Sequence, residues 1–367
     1  MNKQLYNRRS FIQTVGVGGA IAVAGCTTGA NVDANEPTPD DTSNGATSQA
    51  SLSPPQEVDV DRIAADPMNL PPPVDWDEPR RHEFTLETVE VIAEIEPGVT
   101  HRFMTFEGQI PGPMFRVRQG DTVHLTFDVP GDLNSDVHNV DFHAVYGPGG
   151  GAVDTTIAPG NGPVEIEFQL TYPGAHIYHC APGLHDYHIS TGMFGTILVE
   201  PEGGLPEVDR EFYLGQHELY TNGDAGEEGH HQFDFDAVAD EDPTYVLFNG
   251  EVGAFTEDGY GPLEAEVGET IRIFWANGGP NLVSGPHPIG NVWTRWFRDG
   301  DLLSEPAQYI EGTALPAGVT AVGDMELKVP GPIFLVDHAL SRVVQKGMAA
   351  VINVEGEPNE DIYDGDP

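Results

Sequence analysis

Two cysteines in 367 residues, Cys26 and Cys180, leave no material for a disulfide framework. Basic residues are scarce as well: 16 Lys and Arg stand against 59 Asp and Glu, a formal net charge of -43. Nucleic acid and anionic lipid surfaces are thereby excluded as partners, because binding phosphate needs cations. Long apolar runs are missing too, and none reaches the roughly 20 residues of a transmembrane helix. What is present is 39% apolar residue content in regular runs, which opposes disorder despite the charge. A carboxylate-covered surface suits a salt-rich environment, where the Debye length falls to about 3 Å at 1 M salt. The expected owner is a halophile.

The first 26 residues read as an address label. Arg8-Arg9-Ser10-Phe11 precedes a short, Gly-rich apolar stretch that closes on Val23-Ala24-Gly25-Cys26. The twin arginines resemble the signal for export of folded proteins, and the ending resembles a lipoprotein processing site with Cys26 as lipid anchor. The expected location is outside the cell, on the outer face of the cytoplasmic membrane or in a periplasm-like space. Residues 27–80 are expected to form a disordered or extended linker, richest in Thr, Ser, Pro, Asn, Asp and Gly over 27–58.

From about residue 82 the chain becomes short alternating segments rich in β-formers and broken by Gly and Pro, with weak helical periodicity. The expected class is all-β, built as sandwiches. An internal repeat sets their number. Residues 117–125 match 265–273, 172–180 parallel 329–338, and 192–199 parallel 347–354, in the same order and about 150 residues apart. Two tandem domains are expected, at 81–202 and 203–356, joined near Pro201–Pro206 and followed by an acidic tail, 357–367.

With Cys26 in the anchor, the exported body holds one thiol, Cys180. A lone cysteine is ordinarily a small buried hydrophobe. Its neighbours here change that reading. Thiolate, imidazole and thioether at Cys180, His188 and Met193 form one strand–loop–strand corner, a soft set that suits copper better than zinc. A second imidazole has to come from another strand, and His138 is the candidate. His185 competes with His188 for the loop position; the five-residue step to Met193 favours His188. Side chains alternate along a strand, so His179 points away from the face Cys180 takes, and His143 from the face His138 takes. The outward pair, His143 and His179, is half of a second metal site, and His338 is free to complete it.

Together His138-Asn139-Val140-Asp141-Phe142-His143, Tyr178-His179-Cys180-Ala181-Pro182 and Tyr187-His188-Ile189-Ser190-Thr191-Gly192-Met193 resemble the copper-containing nitrite reductases. So do Pro286-His287-Pro288-Ile289-Gly290 and Val336-Asp337-His338. The resemblance spans residues 80–356 and implies two cupredoxin-like Greek-key domains, in a haloarchaeal member by the charge. It departs between Cys180 and His188, one residue shorter than in many members. It implies a homotrimer with type 1 copper on His138, Cys180, His188 and Met193. Type 2 copper would lie on His143 and His179 of one subunit and His338 of the next.

The implied reaction is nitrite to nitric oxide and water, with one electron and two protons. The electron would come from a small copper protein and cross between the sites through adjacent His179 and Cys180. Asp141 and His287 would deliver protons, their reference pKa values being about 3.9 and 6.5. Ile289 would shape how nitrite sits. A multicopper oxidase is the enzyme alternative, yet the chain has no His-x-His pair. A cupredoxin electron carrier is the other, and it leaves His143, His179 and His338 without a purpose.

Overall fold

The computed structural model describes residues 51–365 apart from residue 258. The address label at 1–26, the first part of the linker and the last two residues of the tail lie outside the described residues. Four sheets carry the fold. A five-stranded sheet has the spatial order Gly229–His231, Val99–Phe106, Arg81–Glu96, Thr122–Asp128, Val164–Gln169. A four-stranded sheet, Phe115–Arg118, Phe194–Glu200, Gly174–His179, Asp141–Phe142, shares one apolar core with it around Leu125, Phe142, Tyr178 and Ile197. The second sandwich has a six-stranded sheet from Tyr245–Phe248 through Arg210–Leu219, Thr270–Gly279, Val319–Glu326 and Trp293–Phe297 to Ala307–Ile310. Its four-stranded partner runs Leu263–Glu266, Ala349–Glu355, Gly331–Asp337, Pro286–Ile289, over a core that includes Trp275, Trp293 and Trp296.

The paired segments around Gly120 and Gly268 make the same backbone bonds. Gly120 and Gly268 both sit at positive φ, +93° and +99°, where a glycine takes the turn without a Cβ clash. Gly120 donates to the Leu170 carbonyl at 2.7 Å and Gly268 to that of Leu327 at 2.8 Å. Gln119 and Val267 then reach the carbonyls of Glu200 and Glu355, each at 2.8 Å.

A third apolar core lies between the sandwiches, where Phe103, Ile110 and Phe194 meet Tyr213, Tyr245 and Phe274. Charge crosses the same seam. Arg116 pairs with Glu200 at 2.6 Å and Glu211 at 2.5 Å, and Arg272 pairs with Glu211 at 3.3 Å and Asp324 at 2.8 Å. Arg116, Arg272, Glu200 and Asp324 are buried, so removing one partner would strand another's charge. Residues 52–80 form no helix or strand of their own but are tied to the sheets at several points. Gln56 donates to Thr100 Oγ1 at 3.0 Å, Ser53 bridges His230, and Ile63, Ala64 and Ala65 are buried. Even the polar stretch 52–58 is tied down, largely through its backbone.

Two histidines at the seam make acid stability testable. His101 Nδ1–H donates to the His231 carbonyl at 2.9 Å, and His217 Nδ1–H to that of Ser190 at 2.8 Å. Burial disfavours the charged ring and brings each down to about 4. The unfolded chain protonates near 6.5, so between pH 6.5 and 4 it binds protons the folded chain refuses, and stability falls with acid. In molar salt, which screens the carboxylates, the urea midpoint of the metal-free protein is expected to drop across this window. The His101→Asn/His217→Asn double variant should drop less steeply; equal slopes would remove these rings as the cause.

Candidate metal centres

The thiol-centred set assembles from three elements. Cys180 follows the strand Gly174–His179, His188 lies on the short helix His185–Ser190, and His138 bridges to Ile157 just before Asp141–Phe142. Cys180 Sγ lies 3.6 Å from His138 Nδ1 and 3.5 Å from His188 Nδ1, and the two nitrogens are 3.2 Å apart. Atoms that share one ion at about 2.0–2.3 Å have separations of this size. All three residues are buried. Met193 is buried as well, and its backbone closes the corner, with its N–H on the His188 carbonyl at 3.0 Å and its carbonyl accepting Cys180 N–H at 3.1 Å. His185 lies elsewhere, exposed, with Nδ1 on the Gly183 carbonyl at 2.9 Å. Of the two loop histidines, His188 is the one whose ring joins the cluster.

The helix bearing His188 is anchored to the second sandwich. Ser190 Oγ donates to the Glu218 carbonyl at 2.7 Å, and the Ser190 carbonyl accepts from His217. Burial pushes the Cys180 thiol far up and brings His188 down to about 4. An apolar hole thus disfavours the thiolate and favours neutral imidazole. A soft cation fits this set, since it compensates the thiolate and needs neutral rings.

The outward set forms on the other face. Asp141 and His179 are cross-strand partners, and His143 continues the segment with its N–H on the Ile177 carbonyl at 3.1 Å. His143 Nε2 and His179 Nε2 lie 3.1 Å apart, with Asp141 Oδ2 at 4.0 Å from His179 Nε2. His143 is exposed and the other two half-buried. Desolvation lowers both imidazole pKa values, against a weaker pull from Asp141. Two neutral nitrogens converge at the surface beside a carboxylate, a half-shell that lacks a third ring.

His338 is not in that half-shell within one chain. It stands exposed at the end of Gly331–Asp337, its ring 5.1 Å from that of His287, in a hollow also lined by Gly285, Glu311, Gly312 and Thr313. Asp337 Oδ1 fixes the turn by accepting Gly285 and Ala339 N–H groups, both at 3.0 Å. His287 Nδ1–H donates to the Glu311 carbonyl, leaving Nε2 for the hollow. Ile289, two residues on along the same strand, is 42% exposed.

Three residues near these sets were not singled out in the sequence. Asn139 donates its N–H to Cys180 Sγ at 3.4 Å and accepts Ala181 N–H at 2.6 Å. Glu90 lies behind His138, with its carboxylate 3.5 Å from His138 Nε2. Burial pushes the Glu90 carboxyl up, but hydrogen bonds from His138, Ser135 and Asp136 outweigh it and hold it at about 2. Gly150 packs its bare Cα against the Asp141 carboxylate. Only Asn139, beside a ligand, was open to suspicion; Glu90 reads as one polar residue of an alternating strand.

A family model described as multicopper oxidase matches residues 88–204, less than half of the chain. The copper-containing nitrite reductase of Neisseria meningitidis is 42% identical over 304 residues, covering 83% of this chain and 76% of that protein. That of Cereibacter sphaeroides is 33% identical, covering 77% and 79%. Among solved structures, copper nitrite reductase from Nitrosomonas europaea superposes with a TM-score of 0.67 at 31% identity, over 76% of this chain and 95% of that one. Identity and coverage of this order place the chain in the copper-containing nitrite reductase family.

Proposed function

We propose that this protein reduces nitrite to nitric oxide and water, consuming one electron and two protons, with copper held by two donor sets. The observation that carries this reading is the pair of sets back to back: a buried thiol–imidazole cluster and a surface imidazole pair meet at consecutive residues, Cys180 and His179. His138, Cys180, His188 and Met193 are the proposed type 1 ligands; His143 and His179, with His338 of an adjacent copy, are the proposed type 2 ligands. Copper would supply one-electron exchange at the first set and a Lewis-acidic position for nitrite at the second.

The chain's own groups do the rest. Cys180 gives up its proton, Asn139 N–H supports the resulting charge, and Met193 and Val140 help keep water out. Asp141, beside His179, holds a proton where nitrite would lie, and His287 Nε2 supplies another from the opposite wall. Ile289 offers an apolar surface that limits how nitrite can tilt. Because His338 stands apart from His143 and His179 in its own chain, the complete site needs a neighbouring subunit, as in a homotrimer.

The setting belongs to the same proposal. Twin arginines and Cys26 support export and a lipid anchor, and the net charge supports a salt-rich habitat with a small copper protein as donor. Metal analysis of the pure protein tests the core of it: two coppers per chain with nitrite-dependent nitric oxide formation is expected. One copper and no nitric oxide would leave an electron carrier; four coppers would indicate an oxidase. Activity is expected to persist in molar salt, where screening relieves repulsion between nitrite and the acidic surface.

A further inference from the structure

His138 presents Nδ1 to the thiol cluster, and its other nitrogen is fully buried with no hydrogen-bond partner in range except the carboxylate behind it. That carboxylate belongs to Glu90, on the strand Arg81–Glu96, with a side chain 2% exposed. It is held on every side. Glu90 Oε1 accepts Ser135 N–H at 2.7 Å and Asp136 N–H at 3.1 Å; Oε2 accepts Ser135 Oγ–H at 2.9 Å and the Arg102 guanidinium. Arg102 also reaches Ser135 Oγ at 2.9 Å. A fixed negative charge therefore lies 3.5 Å from the far edge of one ligand ring, with one cation, half-exposed Arg102, offsetting it.

Placed so, the charge does two things. It selects the tautomer, because only a ring protonated at Nε2 faces a carboxylate favourably and keeps Nδ1 free for metal. It also biases redox state: a buried negative charge favours the more positive form of whatever ion the ring binds, and the low-dielectric surroundings enlarge the effect. Asp136 and Ser135 lead directly into His138, so the same bonds fix where the ring's backbone enters the site.

We propose that Glu90 is a positioning residue for His138 that lowers the reduction potential of copper at Cys180, and that Arg102 sets how strongly it does so. This rests on the copper assignment at Cys180 proposed above. Glu90→Gln keeps the shape and one oxygen to accept the Ser135 and Asp136 N–H groups, gives up the acceptor that meets Ser135 Oγ–H and Arg102, and removes the charge. Arg102→Gln removes the offsetting cation and leaves the carboxylate. Redox titration of the thiolate absorption band in the copper-loaded full chain reads both.

The expected result is a rise for Glu90→Gln, on the order of tenfold in the Cu(I)/Cu(II) equilibrium, about 59 mV, and a fall for Arg102→Gln. Opposite signs are the signature of a field; a merely structural contact would shift neither, or disturb both alike. A potential in Glu90→Gln equal to wild type, or shifts of one sign in both variants, overturns the proposal while the copper site stands. Should Glu90→Gln fail to take up copper, Arg102→Gln decides alone, and no downward shift refutes it. Absence of the thiolate band from copper-loaded wild type would overturn the site and this inference together.

Discussion

Replacing His338 with alanine is expected to abolish nitrite reduction and leave the thiolate absorption at Cys180 in place. The two halves of that expectation come from different places in the fold. His338 is exposed at a strand end whose turn is held by Asp337, not by the imidazole, so the truncation should cost little stability. The cluster at Cys180 draws on His138 and His188 and, among the described residues, on no ligating group from the second sandwich. The surface pair, by contrast, has only two nitrogens, and losing the third ring should weaken metal binding beyond the roughly 10–100-fold typical of outer-shell changes. Activity is then expected to fall by at least about a hundredfold.

A mixing experiment separates a ligand from a neighbour. Chains carrying His338→Ala and chains carrying His143→Ala are each expected to be inactive alone. If the site is shared between subunits, unfolding and refolding them together restores part of the activity, because some interfaces pair an intact His143 with an intact His338. No recovery, with trimers verified by mass, would mean that His338 acts within its own chain. Loss of the thiolate band in His338→Ala would instead show that the two sets are not independent.

The first set was legible in the sequence because its residues crowd into one strand–loop–strand corner: Cys180, His188 and Met193 lie within fourteen positions. Parity along the strand was enough to send His179 and His143 outward, and the structure has them 3.1 Å apart. The repeat likewise announced itself through Gly120 and Gly268, since only a few residues tolerate that backbone turn. Local rules ended there. Glu90 reaches His138 across 48 positions, through the pairing of sheets and a loop whose hydrogen bonds depend on backbone N–H groups that carry no sequence mark. The segment 52–58 looks like a tether because its polar composition is that of a tether; what fixes it is a backbone bridge at Ser53 and the Gln56 amide on Thr100.

The same limit applies to Gly150, and it yields the second large effect. The residue sits in the Pro148–Gly151 turn at φ +58°, and a Cβ there would fall 2.0 Å from Asp141 Oδ1 and 2.7 Å from the Phe142 carbonyl. Neither the backbone oxygen nor the turn can yield cheaply, so the Asp141 carboxylate has to move. Alanine in the left-handed region costs roughly 1–2 kcal/mol, and relief of the 2.7 Å contact with the Phe142 carbonyl adds to it, so full copper loading and an intact thiolate band are the check that Gly150→Ala has folded. Asp141→Asn, which removes the acid without changing shape, is expected to lower nitrite reduction by about 10²–10⁴-fold, the usual worth of a positioned proton donor. Gly150→Ala should approach that loss with the acid chemically intact, and both should keep the thiolate band. Wild-type rates in Gly150→Ala, with copper fully loaded, would mean that nitrite reduction does not depend on where the Asp141 carboxylate is held.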